Sequence, residues 1–342
     1  MLRSGLFLGG LLLAQLTHSH HSTLGLYDAD CIVEIEGIVT SVRWRNPHPS
    51  YTVAVLDESG ETLEWAVEAG GAVSTMRLRG VGRDVIEVGD RIRIAGESST
   101  RGRPELFGRN VLLEDGQEVL LGIDAVPRWP AGLRGDIFQS PVNATNVEDA
   151  RERADGIFRV WTVVLGDPTS FTLFRIDNYP LTESASTIKA QWDPRTSPYV
   201  RCEPRGMPYL MNTPFPIEFV NQGNEILLRI ELNDSERVIH MNAGQSSPPG
   251  LSSLLGYSRG RWEGRTLIVE TDGIDAPYFY GDGIPQSTAI RLVERFTLNA
   301  TENRLDYRLT VNDPETFTEE LEFTRYWTWR PEIRVEPFNC QE

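Results

Sequence analysis

The sequence predicts a mainly β protein: a small OB-like barrel followed by a larger antiparallel, calycin- or lipocalin-like β-barrel. Three observations carry this. The stretch YSRGRWEGRTLIVET, residues 257–271, reads as two short strands joined at Glu263-Gly264. Further short runs that alternate apolar and polar residues lie on both sides of it, the period-2 signal of half-buried strands. The length of 342 residues favours two domains over one.

Residues 1–19 read as a secretory signal peptide. Arg3 supplies the positive start, residues 6–16 the apolar run, and Thr17-His18-Ser19 a small-x-small cleavage site. The run is too short to span a bilayer, and no later stretch approaches that length. The expected product is periplasmic or secreted, with no integral membrane segment after cleavage.

The first β domain is expected over residues 20–122. IVEIEGIVTSVRW is a strand with Gly37 as a bulge or bend. YTVAVLD places Tyr51, Val53 and Val55 on one face, and TLEWAVE does the same with Leu63, Trp65 and Val67. Residues 72–79 read as a short helix. GDRIRIAGE turns Ile92 and Ile94 inward and its arginines outward, and ELFGRNVLLEDG closes the set. Five strands with a helix between the third and fourth is the OB order.

Residues 123–155 hold Pro127, Pro130, Pro141 and then a charged run, which reads as a linker with one short helix near its end. The second domain, residues 156–342, opens on the strand IFRVWTVVLG, followed by a polar helical segment at 180–189 and a proline-rich loop at 193–216. Strands are then expected at 216–232, 237–242, 256–271, 289–298, 305–311 and 318–329. The run Leu305, Tyr307, Leu309, Val311 alternates cleanly with Asp306, Arg308 and Thr310. A meander of this length closes to remove its edges. A barrel of about eight strands holds either packed side chains or one small ligand.

A formal net charge of −16 repels phosphate backbones and argues against nucleic-acid binding. Of the three cysteines, Cys202 and Cys340 bracket the second domain and are expected to pair, since export permits disulfides. Cys31, among Asp28, Asp30 and Glu34, is then expected to be a small core residue rather than a nucleophile.

Two interior positions break the apolar pattern. Glu294 is in phase with Ile290, Leu292, Phe296 and Leu298, and Arg325 with Leu321, Phe323, Trp327 and Trp329. A lone buried charge is costly, so the two should pair with each other or with a ligand. With the surrounding aromatics, Glu294, Arg325, Trp262, Tyr307 and Trp327 form the expected ligand-binding set, suited to a small apolar or aromatic-compatible ligand. A second constellation is metal-ligating. Cleavage after Ser19 leaves His20-His21 at the N-terminus, whose α-amine and imidazole suit copper, with His48 of Asn46-Pro47-His48 as a third ligand. No nucleophile elbow, phosphate loop or H-E-x-x-H is present, so no catalytic residue is assigned.

HHSTLGLYDAD, GIVTSVRWRNPH, LEWAVEAGG and GDRIRIAGE together resemble an uncharacterised family of exported bacterial domains over residues 20–122. CEPRGMP, TPFPIEF, GYSRGRWEGRTLIVET, VERF and VNDPETFT resemble a second uncharacterised exported domain. Neither resemblance implies an established reaction. Where relatives of the second domain carry histidines, this chain has Gln245-Ser246-Ser247 and Pro285-Gln286-Ser287, which argues against catalysis there. The reading is therefore an exported protein that binds a small molecule in its C-terminal barrel. A copper-binding or redox protein is the first alternative, and an enzyme using Glu294 as acid or base the second.

Overall fold

A computed structural model describes residues 26–135, 144–174, 176, 178–193, 196–241, 248, 250–299 and 303–340. The expected signal peptide, His20 and His21 lie outside the described residues.

The N-terminal part is built from β1 (Tyr27–Arg43), β2 (Ser50–Leu56), β3 (Thr62–Ala69), helix α1 (Val73–Leu78), β4 (Arg91–Ser99), β5 (Glu105–Leu113), β6 (Gln117–Leu120) and β7 (Gly132–Leu133). The sheet runs β3-β2-β1-β4-β5-β6-β7, and β3 also pairs with β5 in parallel. Its core includes Val39, Tyr51, Val53, Val67, Ile92, Ile94, Leu106 and Val111; Tyr51, Val53, Val67, Ile92 and Ile94 are on faces that alternation picked out, whereas Leu63 is exposed and Val55 and Trp65 are half-buried. The final strand, β7, carries this sheet past the expected domain edge and into the stretch read as linker.

Gly37 has a different role from the one expected. The register slip in the β1–β2 pair lies between Val39 and Ser41. At Gly37 a Cβ would stand 2.2 Å from the Ala54 carbonyl oxygen, so the residue permits a close approach of two backbones. A second slip, between Asp28 and Ile32 against β4, turns Cys31 outward. The expectation that Cys31 packs in a core is corrected: it is an exposed thiol on an irregular part of β1.

Helix α2 (Ala144–Arg153) leads into the second part: β8 (Val160–Thr162), α3 (Pro168–Phe171), α4 (Glu183–Ala190), β9 (Ile217–Asn221), β10 (Glu225–Ile230), β11 (Ser235–His240), β12 (Tyr257–Glu263), β13 (Thr266–Asp272), β14 (Arg291–Asn299), β15 (Arg304–Asn312) and β16 (Leu321–Trp329). Helix α4 starts where the Thr182 hydroxyl accepts from the Ala185 amide. The stretch read as one strand at 216–232 is a hairpin, β9–β10. The β12–β13 hairpin turns at Gly264, whose φ of +59° lies in the left-handed region that favours glycine.

These strands close into a nine-stranded barrel in the order β10-β11-β12-β13-β14-β15-β16-β8-β9. Strict antiparallel alternation needs an even number of strands around a ring. The odd strand is accommodated by one parallel pair, β11 with β12, which corrects the expectation of an all-antiparallel barrel. The interior is filled by side chains, among them Trp161, Phe219, Leu228, Phe296, Tyr307 and Trp327, each no more than 2% exposed. A buried 3-10 turn, Tyr209–Asn212, packs into the same core.

Candidate functional site

The expected interior carboxylate is buried, with Glu294 at 0% exposure, but its partner is not Arg325. Arg237 on β11 meets it with both terminal nitrogens: Nη1 donates to Oε1 at 3.0 Å and Nη2 donates to Oε2. Tyr307 Oη donates to Oε1 at 2.9 Å. Arg237 Nε donates to Ser258 Oγ at 2.9 Å and Nη2 to Thr271 Oγ1 at 2.6 Å. One residue from each of five successive strands, β11 to β15, thus enters a single hydrogen-bonded chain. Burial and the Glu294 charge raise the Tyr307 pKa, which keeps the phenol a donor. With Arg237 and Tyr307 on its oxygens and no exposed surface, Glu294 offers no access to a substrate.

Arg325 serves elsewhere. Its Nη1 donates to the carbonyls of Met211, at 2.7 Å, and Thr213, at 3.4 Å, and its guanidinium lies 4.7 Å from the Trp327 ring. It ties β16 to the 3-10 turn. Tyr307 and Trp327 pack against Phe296, with ring centroids 4.8 and 6.4 Å from it. Trp262 is 43% exposed and stands edge-on to Phe158, outside the interior in which it was expected. Glu294, Arg325, Tyr307 and Trp327 therefore belong to one packed interior, and Trp262 does not join them.

Open space lies along the N-terminal sheet and, beside it, where that sheet meets the loops of the second part. A cavity of about 380 Å³ is lined by Tyr27, Asn46, His48, Tyr51, Glu68 and Arg101. A second, of about 260 Å³, is lined by His48, Glu68, Tyr199, Arg205, Phe215 and Phe338 among others. Pro47, His48 and Glu68 line both, so the two adjoin at these residues in one grooved region.

Four of its buried polar atoms have no hydrogen-bond partner: His48 Nδ1, Tyr51 Oη, Tyr199 Oη and Arg205 Nε. Native structures satisfy nearly all such groups with protein or ordered water. Arg205 is held by ring faces, 4.9 Å from Tyr209 and 5.6 Å from Tyr199. Burial raises the pKa of Tyr51 and of Tyr199, so both remain hydrogen-bond donors.

The groove is framed by contacts between the two parts of the chain. Asn46 is 4% exposed; its Nδ2 donates to the Phe338 carbonyl at 2.7 Å, and its Oδ1 accepts from the Val73 amide at 3.1 Å. Arg77 Nη2 donates to Glu231 Oε2 at 2.8 Å, and the same oxygen accepts from the Glu336 amide at 3.1 Å. Cys202 and Cys340 form the expected disulfide and line the groove. Asn46 therefore clamps the loop that presents His48. Sequence reasoning found His48 but missed Arg205 and Tyr199, which are in the proline-rich loop and carry no periodic signal.

No group of three or more His, Cys, Asp or Glu side chains poised to hold a metal occurs among the described residues. Of the expected copper ligands only His48 is described. Among the described residues no helix is long and apolar enough to cross a membrane. No curated protein matches the chain. A family of unknown function, DUF6152, matches residues 11–105, the part of the chain that carries His48 and most of the N-terminal sheet.

Proposed function

We propose that the chain is an exported, non-catalytic binding protein that holds a small molecule at the mouth of its C-terminal barrel, in the groove bounded by His48, Tyr51, Tyr199 and Arg205. The observation that carries this is the set of four residues, His48, Tyr51, Tyr199 and Arg205, that line the two adjoining cavities and each hold a buried polar atom without a partner. The walls combine aromatic rings with a few fixed polar groups, the composition of small-molecule sites. Because the barrel interior is packed with side chains, the proposed site is at the barrel's end rather than its centre. A disulfide in the same groove supports export.

The finer fold reading belongs to the same proposal. The pairing of β3 with β5, which joins β1 to β5 in a ring, supports an OB-like N-terminal domain. The closed ring of nine strands supports kinship with calycin barrels.

The test is native mass spectrometry of the protein purified from its own host. A bound small-molecule mass should persist in Tyr307→Phe and be lost in the double variant His48→Ala/Arg205→Met. A preparation with no such mass, or one in which the groove variant retains it, overturns the reading. One observation favours a second reading: the unpartnered Nδ1 of His48 suits a copper ion shared with His20 and His21. Sequencing the mature N-terminus decides it, since any start other than His20 removes the α-amine chelate.

A further inference from the structure

A separate cavity of about 220 Å³ opens on the side of the barrel, between α2, β8 to β10 and the segment after β16. Arg153, Arg159, Arg229, Arg330 and Arg334 line it, against one acidic lining residue, Glu218. In a chain whose acidic residues outnumber its Lys and Arg by 49 to 33, this local reversal is not composition.

The nearby carboxylates answer only part of it. Glu218 accepts from Arg229 Nη1 at 2.9 Å, Glu236 stands 3.7 Å from Arg229 Nε, and Glu332 pairs with Arg330. Arg153 Nε donates to the Asp149 carbonyl in its own helix at 3.1 Å. Arg159 is held over Trp329, with its guanidinium carbon 4.4 Å from the ring, and its buried Nε has no hydrogen-bond partner. Stacking on Trp329 fixes the plane of that guanidinium. Partial burial lowers the Arg159 pKa, and the Asp155 charge opposes that shift.

We propose that this cavity binds a tetrahedral oxyanion, a phosphate or sulfate group, with Arg159 as its central donor and Arg229 and Arg330 flanking it. Planar guanidinium forks match the edges of such an anion, and its charge offsets the repulsion among them. The anion is either free or the end group of a larger molecule. Phe158 and Trp329 line the same cavity and give an attached organic group an aromatic surface. The long-range repulsion of an acidic protein does not forbid this, because at physiological salt it is screened beyond about 8 Å. The site is independent of the groove at His48.

The experiment is isothermal titration of the full exported chain with inorganic phosphate, sulfate and phenyl phosphate, beside melting curves in phosphate and in chloride at matched ionic strength. Phosphate or sulfate should raise the melting temperature above the chloride value, and Arg159→Met should weaken binding at least tenfold. Arg153→Ala, an exposed position, should weaken it about threefold through lost charge and serves if Arg159→Met folds poorly. Tighter binding of phenyl phosphate than of phosphate assigns the anion to a larger molecule, and equal binding assigns it to the free ion. Melting indistinguishable from chloride with no titration heat, or full affinity in the arginine variants, overturns the proposal.

Discussion

Arg237 and Glu294 meet inside the barrel through two parallel hydrogen bonds, although three strand boundaries separate them and neither side chain is more than 1% exposed. The pair spans a packed interior rather than a cavity. Its energetics are those of two mutually dependent buried charges: together they are tolerated, and each alone is expensive.

Arg237→Met or Glu294→Gln should therefore each destabilise the protein by about 3–5 kcal/mol, whereas Tyr307→Phe should cost about 1–3 kcal/mol. Double-mutant cycles by denaturant unfolding should give a larger coupling for Arg237 with Glu294 than for Arg325 with Glu294. The reverse order would mean that the charges are arranged differently in solution.

Glu231 should make stability fall as pH rises. Burial raises its pKa above the ordinary value of 4.5, and Arg77 offsets only part of that. A carboxyl whose folded pKa exceeds its unfolded one binds more protons when folded, so stability declines as pH climbs from about 4.5 through the folded value. Urea midpoints taken across that window should decline in the wild type, and the decline should shrink in Glu231→Gln. An unchanged slope in the variant would assign the effect to another group.

Replacing both Cys202 and Cys340 by serine should lower stability by about 2–5 kcal/mol, because the bond closes a loop of 138 residues. It should also speed hydrogen exchange at the Glu336 and Phe338 amides, whose partners are Glu231 and Asp234. Protection that survives in the serine variant would show that the tail is held without the bond.

Cys31 should react with one equivalent of maleimide in the folded protein, with Cys202 and Cys340 unreactive until a reductant is added. Mass spectrometry reads this directly. No labelling before denaturation would return Cys31 to the interior.

Much of the architecture was legible because β-strands alternate. The runs around Ile92 and Leu305 fixed their own faces, and the β12–β13 hairpin lay within one residue of its expected turn. Arg237 was missed for a local reason: Val238 and Ile239 are both apolar, so strand β11 does not declare its phase. Arg325 was placed correctly inside, but a guanidinium reaches far enough that phase alone does not choose its partner. The groove was legible only at His48 and at the disulfide, not as a site. Its walls come from residues as distant as Tyr27 and Phe338, and only the folded chain sets them face to face.

The clamp at Asn46 carries a consequence for how the molecule is assembled. Its acceptor, the Phe338 carbonyl, belongs to a segment that a ribosome makes after every barrel strand. The strands of the amino-terminal sheet are all made before that acceptor exists. A chain interrupted ahead of residue 338 would own every strand of that sheet and an Asn46 amide with nothing to receive its hydrogen bond, so protection of that side chain would report that synthesis had run through the closing segment.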